Sequence, residues 1–255
     1  MKIDISKYHK LSKKSIEEIL LNFNIVGQSF YTGGKRRRND IKVVEKDGRK
    51  FNIKSFKQPN FINRYVYVYF RKSKAERSFE FAERLMKKGI GTPKPIAFAE
   101  ETKKGALFKS FYISEHLDYD LTFRDLDLAK SGHKDILRAF TKFTYNLHEE
   151  KVEFLDHSPG NTLIQLNNGN YQFYLVDLNR MIFKSLNFTE RMKNFERLTP
   201  NKELVKIMAK EYADLLGKPE KDVFEKMWFF ANSFFTNREK NRKVKQKFKN
   251  ALRIK

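Results

Sequence analysis

Residues 155–180 read LDHSPGNTLIQLNNGNYQFYLVDLNR and leave a folding chain few options. Residues 162–166 and 171–176 follow the apolar-polar alternation of short strands, and Asn167-Asn168-Gly169-Asn170 between them supplies hairpin turn chemistry. Ser158-Pro159-Gly160 cannot extend a strand and predicts a loop ahead of the first one. Asp156 opens that loop, Asn161 closes it five residues on, and Asp177 follows the apolar run Phe173-Tyr174-Leu175-Val176. The stretch predicts a loop, a hairpin, and a second Asp delivered from the far strand.

That order of groups suits phosphoryl transfer. A loop Asp can orient and deprotonate an acceptor hydroxyl, an Asn five residues later can reach a metal ion, and an Asp after the hairpin can hold the metal that bridges nucleotide phosphates. The strings LDHSPGNTLI and LVDLNR resemble the catalytic and metal motifs of the protein-kinase-like superfamily. They are most similar to those of the Kdo/WaaP (InaA-type) lipopolysaccharide kinases, which carry similar D-x-SPGN-x-L and VD-x-NR strings. The superfamily patterns are H-R-D-L-x-x-x-N and D-F-G. Here Phe154-Leu155-Asp156 stands for the first triplet and Asp177-Leu178-Asn179 for the second, and no Ala-Pro-Glu follows, so the chain departs from a conventional protein kinase. The resemblance implies an α+β, two-lobed fold with a small antiparallel-sheet lobe and a larger, mainly helical one. It implies ATP and Mg²⁺ as cofactors, Asp156 as base, and Asn161 and Asp177 as metal ligands.

The preceding chain is read in the same light. Ile16, Ile19, Leu20 and Phe23 recur at helical spacing, and strand patterns follow from Ser29, with Glu45-Lys46-Asp47-Gly48 as a hairpin signal. By resemblance, Gly33 and Gly34 let the backbone of the first hairpin approach phosphate, although the full glycine-rich motif is missing. Lys54, after Phe51-Asn52-Ile53, fits the strand lysine that contacts the α- and β-phosphates, with Lys57 as its competitor. Residues 73–88 predict a helix ended by Gly89. Its glutamate should pair with the strand lysine; Glu80 matches the family string best and Glu76 is the rival. A link between lobes is expected at Glu115-His116-Leu117, giving a first domain over residues 1–116 and a second over 117–255. Residues 135–150, 204–216 and 223–235 predict further helices, and His148 is read as a structural hydrogen bonder.

Composition bounds the partners. Across 255 residues the formal net charge is +22, which calls for an anionic partner: nucleic acid, an anionic membrane leaflet, or an anionic substrate with its nucleotide. The absence of cysteine removes disulfides and thiolate metal sites and fits a reducing compartment. No apolar run approaches the roughly 20 residues of a bilayer span, so a cytoplasmic protein is expected. Residues 237–255 hold nine Lys or Arg against one Glu, with Val244, Phe248, Leu252 and Ile254 along one helical face. They suit a solvated basic helix or one lying on the inner leaflet of the inner membrane. The resemblance implies phosphorylation of a lipopolysaccharide inner-core sugar, Kdo or heptose, and makes nucleic acid an unlikely partner. Another small-molecule or protein phosphotransferase, or a kinase-shaped RNA- or membrane-binding module, are the alternatives.

Overall fold

The computed structural model of the protein describes residues 1–25, 28–29, 39–167 and 169–253. Two compact units emerge, residues 1–118 with 174–180, and residues 119–173 with 181–255.

The first unit is built on an antiparallel sheet. Its strands are β1 (Lys2–Ile5), β2 (Gln28–Ser29), β3 (Asn39–Lys46), β4 (Arg49–Phe56), β5 (Pro95–Lys103) and β6 (Ala106–Glu115), in the order β1-β5-β6-β4-β3-β2. Asp47 and Gly48, both at positive φ, make the tight turn between β3 and β4 that the sequence anticipates. Helix α1 (Lys13–Ile25) buries Ile16, Ile19, Leu20 and Phe23 against Phe51, Ile53 and Ile113 of the sheet. Alternation along β4 then sends Lys54 and Phe56 to the opposite face, where Phe56 packs with Ala75, Phe79 and Phe98. Ala75 and Phe79 belong to α3 (Lys74–Lys87), which Ser73 caps by accepting from the Glu76 amide and which gives way to Gly89 at positive φ. Between β4 and α3 lies α2 (Phe61–Tyr69), which no sequence signal led us to expect and which buries none of its residues.

The second unit is mainly helical. Helices α4 (His133–Glu149), α5 (Phe188–Lys193), α6 (Lys202–Leu216) and α7 (Glu220–Arg253) surround a core that includes Phe140, Phe195, Met208, Tyr212 and Met227. Small strand pairs frame its loops: β7 (Leu121–Thr122) pairs with β9 (Thr162–Asn167), and β8 (Val152–Phe154) with β11 (Met181–Phe183). Strand β10 (Asn170–Leu175) completes the hairpin with β9.

Two expectations are revised. The segment after the hairpin, with Asp177, joins the first unit, because the Leu175 amide donates to Gly91 O at 2.9 Å and Thr92 Oγ1 donates to Leu175 O at 2.9 Å. The C-terminal helix is longer than the apolar period of residues 223–235: α7 runs unbroken through the basic stretch to Arg253.

Candidate active site

The loop that opens with Asp156 is held on all sides. Strand β8 delivers it, and Phe154 O accepts from the His157 amide at 3.1 Å and from Asn194 Nδ2 at 2.9 Å. The His157 ring is buried among Phe140, Phe154 and Phe195, so the residue beside Asp156 acts as a hydrophobic anchor. Burial pushes its pKa down to about 3. Asn161 N donates to Ser158 O at 2.9 Å, closing the turn written into Ser158-Pro159-Gly160. Asn161 Nδ2 donates to the Asp156 carbonyl at 2.8 Å, which fixes the amide and offers its oxygen, the atom a hard cation takes. Asp156 itself lies 3.5 Å from Arg197, counting Oδ1 to Nη1.

Asp177 occupies the left-handed region at φ 59°, a conformation that Asp tolerates better than most residues. Asn179 Nδ2 donates to Asp177 Oδ1 at 2.6 Å, and Lys54 Nζ lies 2.6 Å from the same oxygen. The pairing explains how Lys54 stands buried on its strand: its charge is matched, and its ammonium also sits 5.4 Å from the Phe56 ring centroid. Lys57 lies beyond the end of β4 and is exposed. Glu80 pairs with Lys72 instead of Lys54, and Glu76 with Lys2 at 3.5 Å. The expected helix-to-strand pair is therefore replaced. Lys72, just ahead of α3, reaches Glu80 along the helix surface, while Asp177 supplies the carboxylate for Lys54. Gly33 and Gly34 lie outside the described residues.

His148 is buried, its Nδ1 2.7 Å from the Tyr212 hydroxyl and its Nε2 3.1 Å from Asn194 Oδ1, and burial pulls its pKa down to about 4. It braces the loop through Asn194, which also holds Phe154 O. Two arginines beside the loop carry no signal in the sequence: Arg197, and Arg124, whose amide donates to Pro159 O at 3.1 Å. Gly160 leaves room for the latter, since a Cβ there would stand 2.9 Å from Arg124 Nη2. Burial and the positive charges of Arg71 and Arg180 hold the Arg77 guanidinium below its ordinary pKa.

In the second unit the loop of Asp156 carries a base-type carboxylate and an amide with its oxygen presented, and in the first unit Asp177 is locked to the buried Lys54. Oxygens and an ammonium of these kinds suit a phosphate-bound divalent cation. The lipopolysaccharide kinase (Kdo/WaaP) family matches residues 25–218. The chain belongs to that family. It is accordingly a kinase, a phosphotransferase with a hydroxyl acceptor, and ATP use comes with the family. Among solved structures, WaaP in complex with acyl carrier protein matches with a TM-score of 0.61 at 14% identity, over 94% of this chain and 99% of that one. Its likeness makes the architecture protein-kinase-like. The Rio2 kinase of Chaetomium thermophilum, solved with ADP, Mg²⁺ and phosphoaspartate, matches with a TM-score of 0.47 at 14% identity, over 96% of this chain and 77% of that one. A comparison with curated proteins gave no match. Among the described residues no helix is long and apolar enough to cross a membrane.

Proposed function

We propose that the protein phosphorylates a sugar hydroxyl of the lipopolysaccharide inner core, Kdo or heptose, on the cytoplasmic side of the inner membrane. When bound, Mg-ATP supplies the phosphoryl group and the cation that neutralises it. Asp156 takes the proton of the acceptor hydroxyl as the oxygen attacks. Asn161 and Asp177 present oxygens to the cation, and Lys54 steadies the phosphates. The ion pair between Lys54 and Asp177 carries this reading, because it joins residues 54 and 177 of the chain at 2.6 Å, a juxtaposition that a strand lysine or a strand-end carboxylate alone would not require.

The test is transfer of labelled phosphate from ATP to lipid A bearing Kdo, to its heptose-extended form, to a protein acceptor and to an aminoglycoside. Label on the inner-core sugars, located by mass spectrometry, is expected. Equal or greater transfer to protein or aminoglycoside would overturn the assignment.

Peripheral contact with an anionic leaflet belongs to the same proposal. Helix α2 supports it: Ile62 is 73% exposed and Phe70, just after the helix, 85%, with Arg64, Arg71 and Lys72 close by in sequence. Aromatic and aliphatic side chains beside basic ones are what an interfacial helix offers. In α7, Val244 is 51% exposed and Phe248 68%, so neither is packed into the helical unit.

A further inference from the structure

Beyond Trp228, helix α7 changes character along one stripe. Phe230 and Phe234 are followed on the same face by Asn237, Arg238, Arg242 and Lys245, three, four, eight and eleven residues beyond Phe234, spacings that keep them in line. The stripe lines an open groove of about 740 Å³, with Ser233 beside the aromatic end and Asn241 and Gln246 beside the basic one. Chemistry therefore passes along the groove from ring faces, through amides and a hydroxyl, to three cations.

One residue ties this groove to the loop of Asp156. The Arg197 guanidinium lies 5.2 Å from the Phe234 ring centroid, and its Nη1 lies 3.5 Å from Asp156 Oδ1. The acidic lining residue, Glu196, has its Oε1 3.5 Å from Arg197 Nε, so its charge faces a cation already in place.

We infer that the groove along α7 is the acceptor subsite, taking an anionic saccharide with its rings against Phe230 and Phe234 and its carboxylate or phosphate groups on Arg238, Arg242 and Lys245. Aromatic faces cover the apolar side of a sugar ring, amides meet hydroxyls, and guanidinium forks match planar or phosphate anions in a bidentate manner. Arg197 is a positioning residue: it pairs with Asp156 and lies against the ring of Phe234, which lines the groove. The assignment rests on the acceptor reading above and adds which surface selects for negative charge.

The experiment pairs binding with turnover in the 255-residue chain. The double variant Arg242→Gln/Lys245→Gln alters two exposed side chains, and thermal unfolding should match wild type. By calorimetry, a delipidated inner-core oligosaccharide bearing Kdo carboxylates, and separately its phosphorylated form, should bind wild type and lose about tenfold or more in the variant, since each lost charged hydrogen bond is worth that order. A neutral oligosaccharide should be indifferent to the change, and so should KM for ATP. Equal affinity of wild type and variant for the anionic saccharides would overturn the groove, as would tighter binding of single-stranded RNA than of the saccharides. If wild type binds the saccharide through these residues yet transfers no phosphate to it, the kinase assignment to inner-core sugar falls and the groove stands. If transfer occurs with unchanged acceptor KM in the variant, the reverse holds.

Discussion

At the residue scale, the site separates groups that act on charge from groups that hold shape. Asn161 is anchored on the Asp156 carbonyl, a bond that survives a change of the side chain at that position. Asp156→Ala should therefore leave folding and ATP affinity near wild type while turnover falls about 100-fold or more, the usual cost of a lost general base. Activity within about tenfold of wild type would remove it from the role. Asp177→Asn is different in kind: it leaves the Lys54 ammonium buried without its counter-charge, so both Mg-ATP affinity and melting temperature should drop. Unchanged affinity by calorimetry would reduce Asp177 to a strand-end partner. The two buried histidines make a pH prediction. With folded pKa values lowered to about 3 for His157 and about 4 for His148, against 6.5 when unfolded, the unfolded chain binds more protons throughout that window. Stability is kept above pH 6.5 and lost as pH falls below it, by up to about 1.4 kcal/mol per pH unit for each group. His157→Leu, set among Phe140, Phe154 and Phe195, should flatten the slope between pH 6.5 and pH 4 by about one proton in urea titrations; an unaltered slope would mean that His157 is protonated in the folded state.

At the scale of elements, α3 shows how a well-read helix can still surprise. Its boundaries, cap and buried face follow from local rules, yet the partner of its glutamate does not. Glu80 sits on the exposed side with Lys72, where an ion pair is worth about 1 kcal/mol at most and is screened by salt. Glu80→Gln should accordingly change KM for ATP by less than about twofold, whereas Lys54→Ala should raise it strongly. A comparable rise for Glu80→Gln would show that Lys54 exchanges Asp177 for Glu80 when nucleotide arrives. Helix α7 makes a related point: its first half is fixed by Val223, Met227 and Ala231 in the core, and residues 237–248 extend it in the same helical register with side chains left to solvent.

For the whole molecule, the +22 charge is divided between uses that charge alone cannot rank. Residues 237–253 and the neighbourhood of α2 carry basic side chains beside exposed apolar ones, the combination that associates with anionic lipid at about 1 kcal/mol per basic residue near the surface. Flotation with vesicles rich in phosphatidylglycerol should recover the protein at low salt and release it as ionic strength rises. Ile62→Ser/Phe70→Ser should weaken recovery on anionic vesicles without altering turnover on a delipidated acceptor. Retention by neutral vesicles, or an equal loss of turnover on both acceptor forms, would reassign α2 to packing within the first unit.

What the sequence determined by itself is local. The interval from Asp156 to Asn161, the hairpin, the face of α1 and the span of α3 are legible because turn chemistry and periodicity act between near neighbours. Lys54 was legible because alternation puts it on the face opposite Ile53. Its partner was not, since periodicity reports which way a side chain leaves the backbone and says nothing of which distant carboxylate packing brings within reach. Arg197 had no signal for the same reason: only the folding of the helical unit sets it against Asp156 and Phe234. Tertiary structure also decided that the Asp177 segment joins the sheet unit, through Gly91 and Thr92, and that α2, for which the sequence raised no expectation, forms without burying any of its residues. A long, charged or amphipathic side chain is free to choose among partners, and that choice is made by the three-dimensional neighbourhood.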